Sequence, residues 1–226
     1  MSAAAPVAAR AGARLVDPAR PVPRLYAIAD LDLLGEGALP AAVVAMAEAG
    51  VRWIQLRAKR ASGASLLALA EACCRVVEGS GVTLWIDDRV DVAALLPLGG
   101  VHLGQSDLPP AAARPLLPSS TLIGASTHDL AQLTAAATDE AVDVVAVGPV
   151  FPTRSKAAPD AVVGLDGVRE ARRLTSKPLV AIGGIDETNL AAVLDAGADA
   201  VAVLSAVCRG DVASRCRTLL AAAAAA

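Results

Sequence analysis

The sequence predicts an α/β protein of one domain, a single (β/α)8 TIM barrel. Three observations predict it. Short apolar runs alternate with helical patterns eight times. The runs are near-continuously apolar, as parallel strands covered on both faces require. The length of 226 residues suits eight such units at the compact end of the barrel's range. An open, doubly wound sheet is the competing arrangement, but the eight repeats and the lack of a G-x-G-x-x-G turn disfavour it.

Residues 1–24 are rich in Ala, Arg and Pro with no continuous apolar stretch, so they are expected to form a disordered leader, and the barrel to occupy 25–226. The strands are expected at 25–30, 53–57, 83–87, 100–104, 122–126, 144–148, 179–182 and 200–205. Between them, residues 38–49 read as a helix stopped by Gly50, and 62–78 as a long helix with Ser62 as its cap and Gly79 past its end. Short helices are expected before Leu96 and from Pro109. Helices follow at 128–137, with Thr127 as cap, and at 165–174, 187–196 and 211–225. A long loop, 149–163, separates strand six from its helix.

Composition narrows the function. Hydrophobic residues make up 55% of the chain but aromatics only 2%, so the core is expected to be built from Leu, Val, Ile and Ala. A net charge of −3 and so few rings argue against a nucleic-acid surface. No apolar run approaches a membrane span. Cys73, Cys74, Cys208 and Cys216 form no C-x-x-C, and His102 and His128 are the only histidines, so zinc has no framework. A reducing cytoplasm fits this usage. Small-molecule substrates are the expected partners. Oligomeric state is open, a homo-oligomer being compatible with the sequence.

In a barrel of this kind the chemistry sits at the carboxyl ends of the strands. Strand three ends Leu84-Trp85-Ile86-Asp87-Asp88-Arg89, and strand four leads through Val101-His102-Leu103-Gly104-Gln105-Ser106 to Asp107. Taken alone, Asp87 and Asp88 also read as helix caps and Asp107 as a turn residue. Carboxylates from neighbouring strands are also a plausible seat for one hard divalent cation. Strand alternation puts Asp87 and Asp88 on opposite faces, with different roles. The same alternation puts Gln55, Arg57 and Lys59 on one face, a site for an anion. Ser126 and Thr127 offer hydroxyls ahead of a helix. Thr153, Arg154, Ser155 and Lys156 interleave hydroxyls and cations, which suits phosphate. Gly183-Gly184 and Ser205 end strands seven and eight, where phosphate is often held. The tally is two separate anion sites and one Mg²⁺ seat at Asp88 and Asp107. No nucleophile–base grouping accompanies them, so electrostatic stabilisation of a leaving group is expected rather than covalent catalysis.

From Leu25 to Val207 the sequence resembles the thiamine phosphate synthase family. The matching pieces, in family order, are Gln55-Leu56-Arg57-Ala58-Lys59, Asp88-Arg89-Val90-Asp91, the Gly100 to Asp107 stretch, Ser126-Thr127-His128, Gly148 to Lys156, and Val180 to Ile185. The resemblance implies a transferase that joins hydroxymethylpyrimidine diphosphate to a thiazole phosphate, giving thiamine phosphate and pyrophosphate. It implies that the diphosphate leaves first with Mg²⁺ assistance and that the thiazole nitrogen captures the pyrimidine carbocation. Carried over, Gln55, Arg57, Lys59, Ser126 and Lys156 hold the diphosphate, with Arg57, Ser126 and Lys156 catalytic. Asp88 and Asp107 ligate Mg²⁺. Thr153, Ser155, Gly184, Leu204 and Ser205 hold the thiazole phosphate.

The sequence departs from the family pattern at two places. Asp87 stands where the family has Asn, and Ala58 where it often has an acidic residue. Asp87 is therefore a substrate contact only if its charge is handled; pairing with Arg89 or Arg57, or capping the next helix, is the expected resolution. Two other functions compete. A thiazole tautomerase on the same barrel needs the thiazole site without the full metal set, and a non-catalytic phosphate sensor needs neither metal pair nor long loop.

Overall fold

The structure, a computed structural model, describes residues 22–153 and 160–226. Eight parallel strands close in sequence order into a barrel. They are β1 (Leu25–Asp30), β2 (Trp53–Arg57), β3 (Thr83–Asp87), β4 (Gly100–Leu103), β5 (Leu122–Thr127), β6 (Val144–Val147), β7 (Leu179–Ile182) and β8 (Ala200–Val203). β1 pairs with both β2 and β8, so the sheet has no edge.

Strand alternation sorts the side chains into two cores. Leu25, Ala27, Ala29, Ile54, Leu56, Leu84, Ile86, Val101 and Leu103 point outward and pack under the helices. Tyr26, Ile28, Trp53, Trp85, Val144, Ala146, Val180, Ala200 and Ala202 fill the barrel interior. Aliphatic packing holds for the outer layer as expected. The interior differs: the two Trp and the single Tyr gather there, with ring centroids 5.0–5.5 Å apart. Three large rings from β1, β2 and β3 fill the volume that the small residues of β6, β7 and β8 leave. Space for them is made by glycine. Gly100 sits opposite Trp85 in the β3–β4 register, and a Cβ on it would lie 2.2 Å from the indole.

The helices follow the sequence with local corrections. The expected helix at 38–49 is α2 (Leu39–Glu48), and that at 62–78 is α3 (Gly63–Val77), where the Ser62 hydroxyl accepts from the Ser65 amide. A four-residue α1 (Leu31–Leu34) precedes α2, capped by Asp30. The short pieces are α4 (Val90–Leu95) and α5 (Pro110–Ala113). α6 (Leu130–Thr138) starts two residues later than expected and is capped by Asp129, not Thr127; the Thr127 hydroxyl is spent on the Ala146 carbonyl at 2.8 Å. After α7 (Gly164–Leu174), α8 (Leu190–Asp195) is shorter than expected. Asp186 and Asn189 bind each other's turn: the Asp186 amide donates to Asn189 Oδ1 and the Thr188 amide to Asp186 Oδ1, both at 2.9 Å. Such side-chain bonds hold a turn in place of a helix. β8 stops at Val203, and Ser205 instead opens α9 (Ser205–Cys208). The chain finishes in α10 (Val212–Ala224), capped by Asp211. Arg24, just before β1, donates to the Ala223 and Ala226 carbonyls.

The loop after β6 packs against the end of β7. The Val150 and Phe151 amides donate to the Ile182 and Gly183 carbonyls, both at 2.9 Å. Gly183 and Gly184 have φ of +103° and +67°, and a Cβ on either would lie 2.6–2.7 Å from residues 149–152. The glycine pair is thus required by close backbone packing at the mouth.

Candidate functional site

One cavity of about 520 Å³ opens at the carboxyl ends of the strands. It is lined by Gln55, Arg57, Lys59, Asp87, Asp88, Asp107, Ser126, Thr153, Gly184, Leu204 and Ser205, every described residue expected at the site. The sequence reading split them into two separate anion sites. Both sets line the one opening at the carboxyl ends of the strands. Ser155 and Lys156 lie outside the described residues.

Gln55 is buried on β2, and its amide donates to the Tyr26 hydroxyl at 2.9 Å. Two residues on, Arg57 pairs with the buried Asp30 at the end of β1. Lys59 faces both Asp88 and Asp87, the latter at 3.1 Å. Burial pulls the Lys59 ammonium down, but the two carboxylates outweigh it and its pKa is raised.

Asp87 and Asp88 contradict the expectation of opposite faces. Asp88 adopts φ +63°, the left-handed region, and is the sole non-glycine residue to do so among the described residues. That turn of the backbone breaks the alternation and brings both carboxylates to Lys59. Neither Asp caps the next helix, whose start has no side-chain cap. Arg89 does not pair with Asp87; it holds Asp91, at 2.6 and 2.8 Å. Asp87 pairs instead with Lys59 and, at 3.6 Å, with Arg57, the expected arginine. Burial pushes the Asp87 carboxyl up to about 6, and the charge of Asp88 adds to this against the pull of Lys59 and Arg57.

Asp107 accepts from the Gly104 amide at 2.7 Å, so it does sit in a turn. Its carboxyl is also raised, first by burial and then, against the Gly104 amide, by contact with Asp88. Two carboxylates this close favour a cation between them. Among the described residues no group of three His, Cys, Asp or Glu forms a metal cluster. A pair of hard oxygen donors open to a cavity fits Mg²⁺, which takes one or two carboxylates and completes its shell with water and phosphate oxygens.

Ser126 stands on the interior face of β5. Its hydroxyl is 2.9 Å from His102 Nε2, and its carbonyl accepts from the Gln105 amide at 2.6 Å. Thr127, grouped with it in the sequence reading, is buried and occupied elsewhere. The site residues missed from sequence include His102, Gln105, His128 and Asp160, all lining the cavity. His102 was legible: it alternates with Gly100 and Gly104, so it faces inward. Burial holds its ring far below the usual range, at about 4. His128 donates from Nδ1 to the Gly148 carbonyl at 2.7 Å, with Asp160 at 3.6 Å. Nothing in the local pattern marks that contact, which depends on β5 and β6 meeting.

The closed barrel and its charged mouth define the class: a (β/α)8 protein with cations and carboxylates gathered in one cavity. A family described as thiamine monophosphate synthase matches residues 25–207. The chain belongs to that family. It is 46% identical over 189 residues to the thiamine-phosphate synthase of Koribacter versatilis, covering 81% of this chain and 88% of the relative. It is 41% identical to that of Chloroflexus aurantiacus, covering 83% and 86%. Among solved structures, thiamine phosphate pyrophosphorylase from Pyrococcus furiosus superposes with a TM-score of 0.81 at 32% identity, covering 90% of this chain and 96% of that one. The fold is a TIM barrel, as expected. No helix of the described residues is long and apolar enough to cross a membrane.

Proposed function

We propose that this chain is a transferase joining hydroxymethylpyrimidine diphosphate to a thiazole phosphate, releasing pyrophosphate and forming thiamine phosphate. The observation that carries this is one shared cavity: Arg57 and Lys59 at the end of β2, Asp88 and Asp107 in the loops after β3 and β4, and the strand-seven and strand-eight ends all line one space. Two phosphorylated substrates must meet there for a bond to form between them. Family membership and the relatives' activity support the same reading.

In this assignment Gln55, Arg57, Lys59 and Ser126 hold the pyrimidine diphosphate, and Lys156 joins them from the loop after β6. Thr153, Ser155, Gly184, Leu204 and Ser205 hold the thiazole phosphate. Asp88 and Asp107 hold Mg²⁺, which when bound supplies positive charge to the diphosphate oxygens. The bond from the pyrimidine methylene carbon to the diphosphate oxygen breaks, and its electron pair leaves with pyrophosphate. The thiazole nitrogen lone pair forms the new carbon–nitrogen bond. Arg57, Ser126 and Lys156 stabilise the departing charge, which is the electrostatic role expected of this set. Asp87 touches Lys59 and Arg57, so it orients the cations. Four unpaired cysteines support placing the reaction in a reducing cytoplasm.

The test is incubation with both substrates and Mg²⁺, with thiamine phosphate read by fluorescence after oxidation. Product is expected only when both substrates are present. Failure to form it with folded protein and intact substrates overturns the assignment.

A further inference from the structure

His102 is buried, and its Nδ1 has no hydrogen-bond partner. The ring's only hydrogen bond among the described residues joins Nε2 to Ser126 Oγ at 2.9 Å. Neither ring nitrogen bonds a carboxylate, and a ring buried in this way stays neutral. A neutral imidazole carries one proton, and its position decides what Ser126 can do.

The geometry points to His102 as a positioning residue that holds its proton on Nε2, donates it to Ser126, and so turns the Ser126 hydroxyl hydrogen into the cavity as a donor for phosphate.

Gly124 carries the argument. It faces His102 in the β4–β5 register. A Cβ built there would lie 2.4 Å from Nδ1 but 3.1 Å from Cε1 and 3.3 Å from Cγ. Gly124 therefore lies on the Nδ1 side of the ring. A proton on Nδ1 would be a buried donor with no acceptor among the described residues, and orphaned buried N–H groups are rare. A bare lone pair there meets only a C–H bond. With the proton on Nε2, Ser126 Oγ accepts. Its own hydrogen is then free of the ring, and an ionised phosphate oxygen can only accept it. The opposite tautomer would consume the Ser126 hydrogen and turn lone pairs toward the diphosphate. Gly124 thus follows from one requirement: β5 must leave room for the His102 imidazole.

This inference rests on the diphosphate reading of the cavity, and two measurements separate them. The first needs no ligand. Long-range ¹H–¹⁵N correlation on the ¹⁵N-histidine-labelled full chain, with His128 assigned by His102→Leu, should show a neutral His102 with hydrogen on Nε2. Hydrogen on Nδ1, or a doubly protonated ring at neutral pH, overturns the inference whatever the cavity binds. The second uses magnesium pyrophosphate as probe, followed by calorimetry. His102→Leu should weaken binding about three- to tenfold in the wild-type background, the worth of one hydrogen bond, and have no further effect in Ser126→Ala. His102→Gln, which keeps a donor, should retain most of the affinity. Equal loss in both backgrounds overturns the inference. If Arg57→Ala leaves magnesium pyrophosphate binding unchanged, the diphosphate reading itself fails.

Discussion

Asp87 and Asp88 are adjacent in the sequence, yet both carboxylates face the one ammonium of Lys59. A strand continuing straight would send them to opposite faces; the left-handed φ of +63° at Asp88 prevents it. Left-handed backbone costs an L residue roughly 1–2 kcal/mol, and such strain persists where the surroundings over-determine it. Here the Asp88 amide donates to the His102 carbonyl at 2.8 Å, which ties the turn to β4.

Asp88→Ala and Asp107→Ala should each lower turnover by about a hundredfold or more, the scale of losing a cation worth several kcal/mol. Both proteins should melt near wild type. Asp88→Gly separates strain from function: it should melt a few degrees higher, as about 1 kcal/mol of backbone strain is relieved, and still be inactive. Full wild-type activity in EDTA would refute the metal assignment.

Asp87→Asn should retain activity. Asn keeps an oxygen for Lys59 and removes a charge that burial already disfavours. The raised carboxyl, at about 6, means that ionisation of Asp87 weakens the fold. Its contribution to stability is full below the ordinary value of 3.8 and is lost as pH rises toward 6. Relative to wild type, Asp87→Asn should therefore be more stable at pH 7 than at pH 4. If this variant loses turnover and Mg²⁺ affinity as Asp88→Ala does, Asp87 is a ligand.

His102 acts in the opposite sense. Its ring is held at about 4 against 6.5 when unfolded, so the unfolded chain binds the extra proton between those values. Stability should fall as pH drops from 6.5 toward 4, by about 3 kcal/mol at most. Urea melts of wild type and His102→Gln across this window should diverge, the carboxylate contributions cancelling in the difference. Parallel curves would show that the ring is charged in the folded protein.

Gly100→Ala should destabilise by about 1–3 kcal/mol, the cost of overpacking, since its Cβ would lie 2.2 Å from the Trp85 ring. Trp85→Leu in the same protein should recover part of the loss. Thermal melts of the two single variants and the double variant test the coupling, and additive losses would refute it.

Lys156→Ala should lower kcat more than it raises KM for the pyrimidine substrate, because charge on pyrophosphate develops as the bond breaks. A pure KM effect would make Lys156 a ground-state binding residue.

The sequence by itself determined the barrel, the eight strands and most of the cavity's charged groups, Asp160 being the exception. Those are local signals: continuous apolar runs report two-sided burial, and charge at a strand's end reports a mouth. Gln55 and Arg57 face one space because period-two geometry needs only β2. The tertiary structure alone decided how the groups combine. The alternation rule failed at Asp88 because one residue of left-handed backbone, fixed by β4, resets the phase. Thr127 was misread because its hydroxyl partner, the Ala146 carbonyl, lies on another strand. The two expected anion sites share one cavity because closure through β1 brings the ends of β2 and β8 to the same opening. The pairing of Trp85 with Gly100, and of His102 with Gly124, exists only through inter-strand register. Register is a relation between segments distant in sequence, and no local pattern records it.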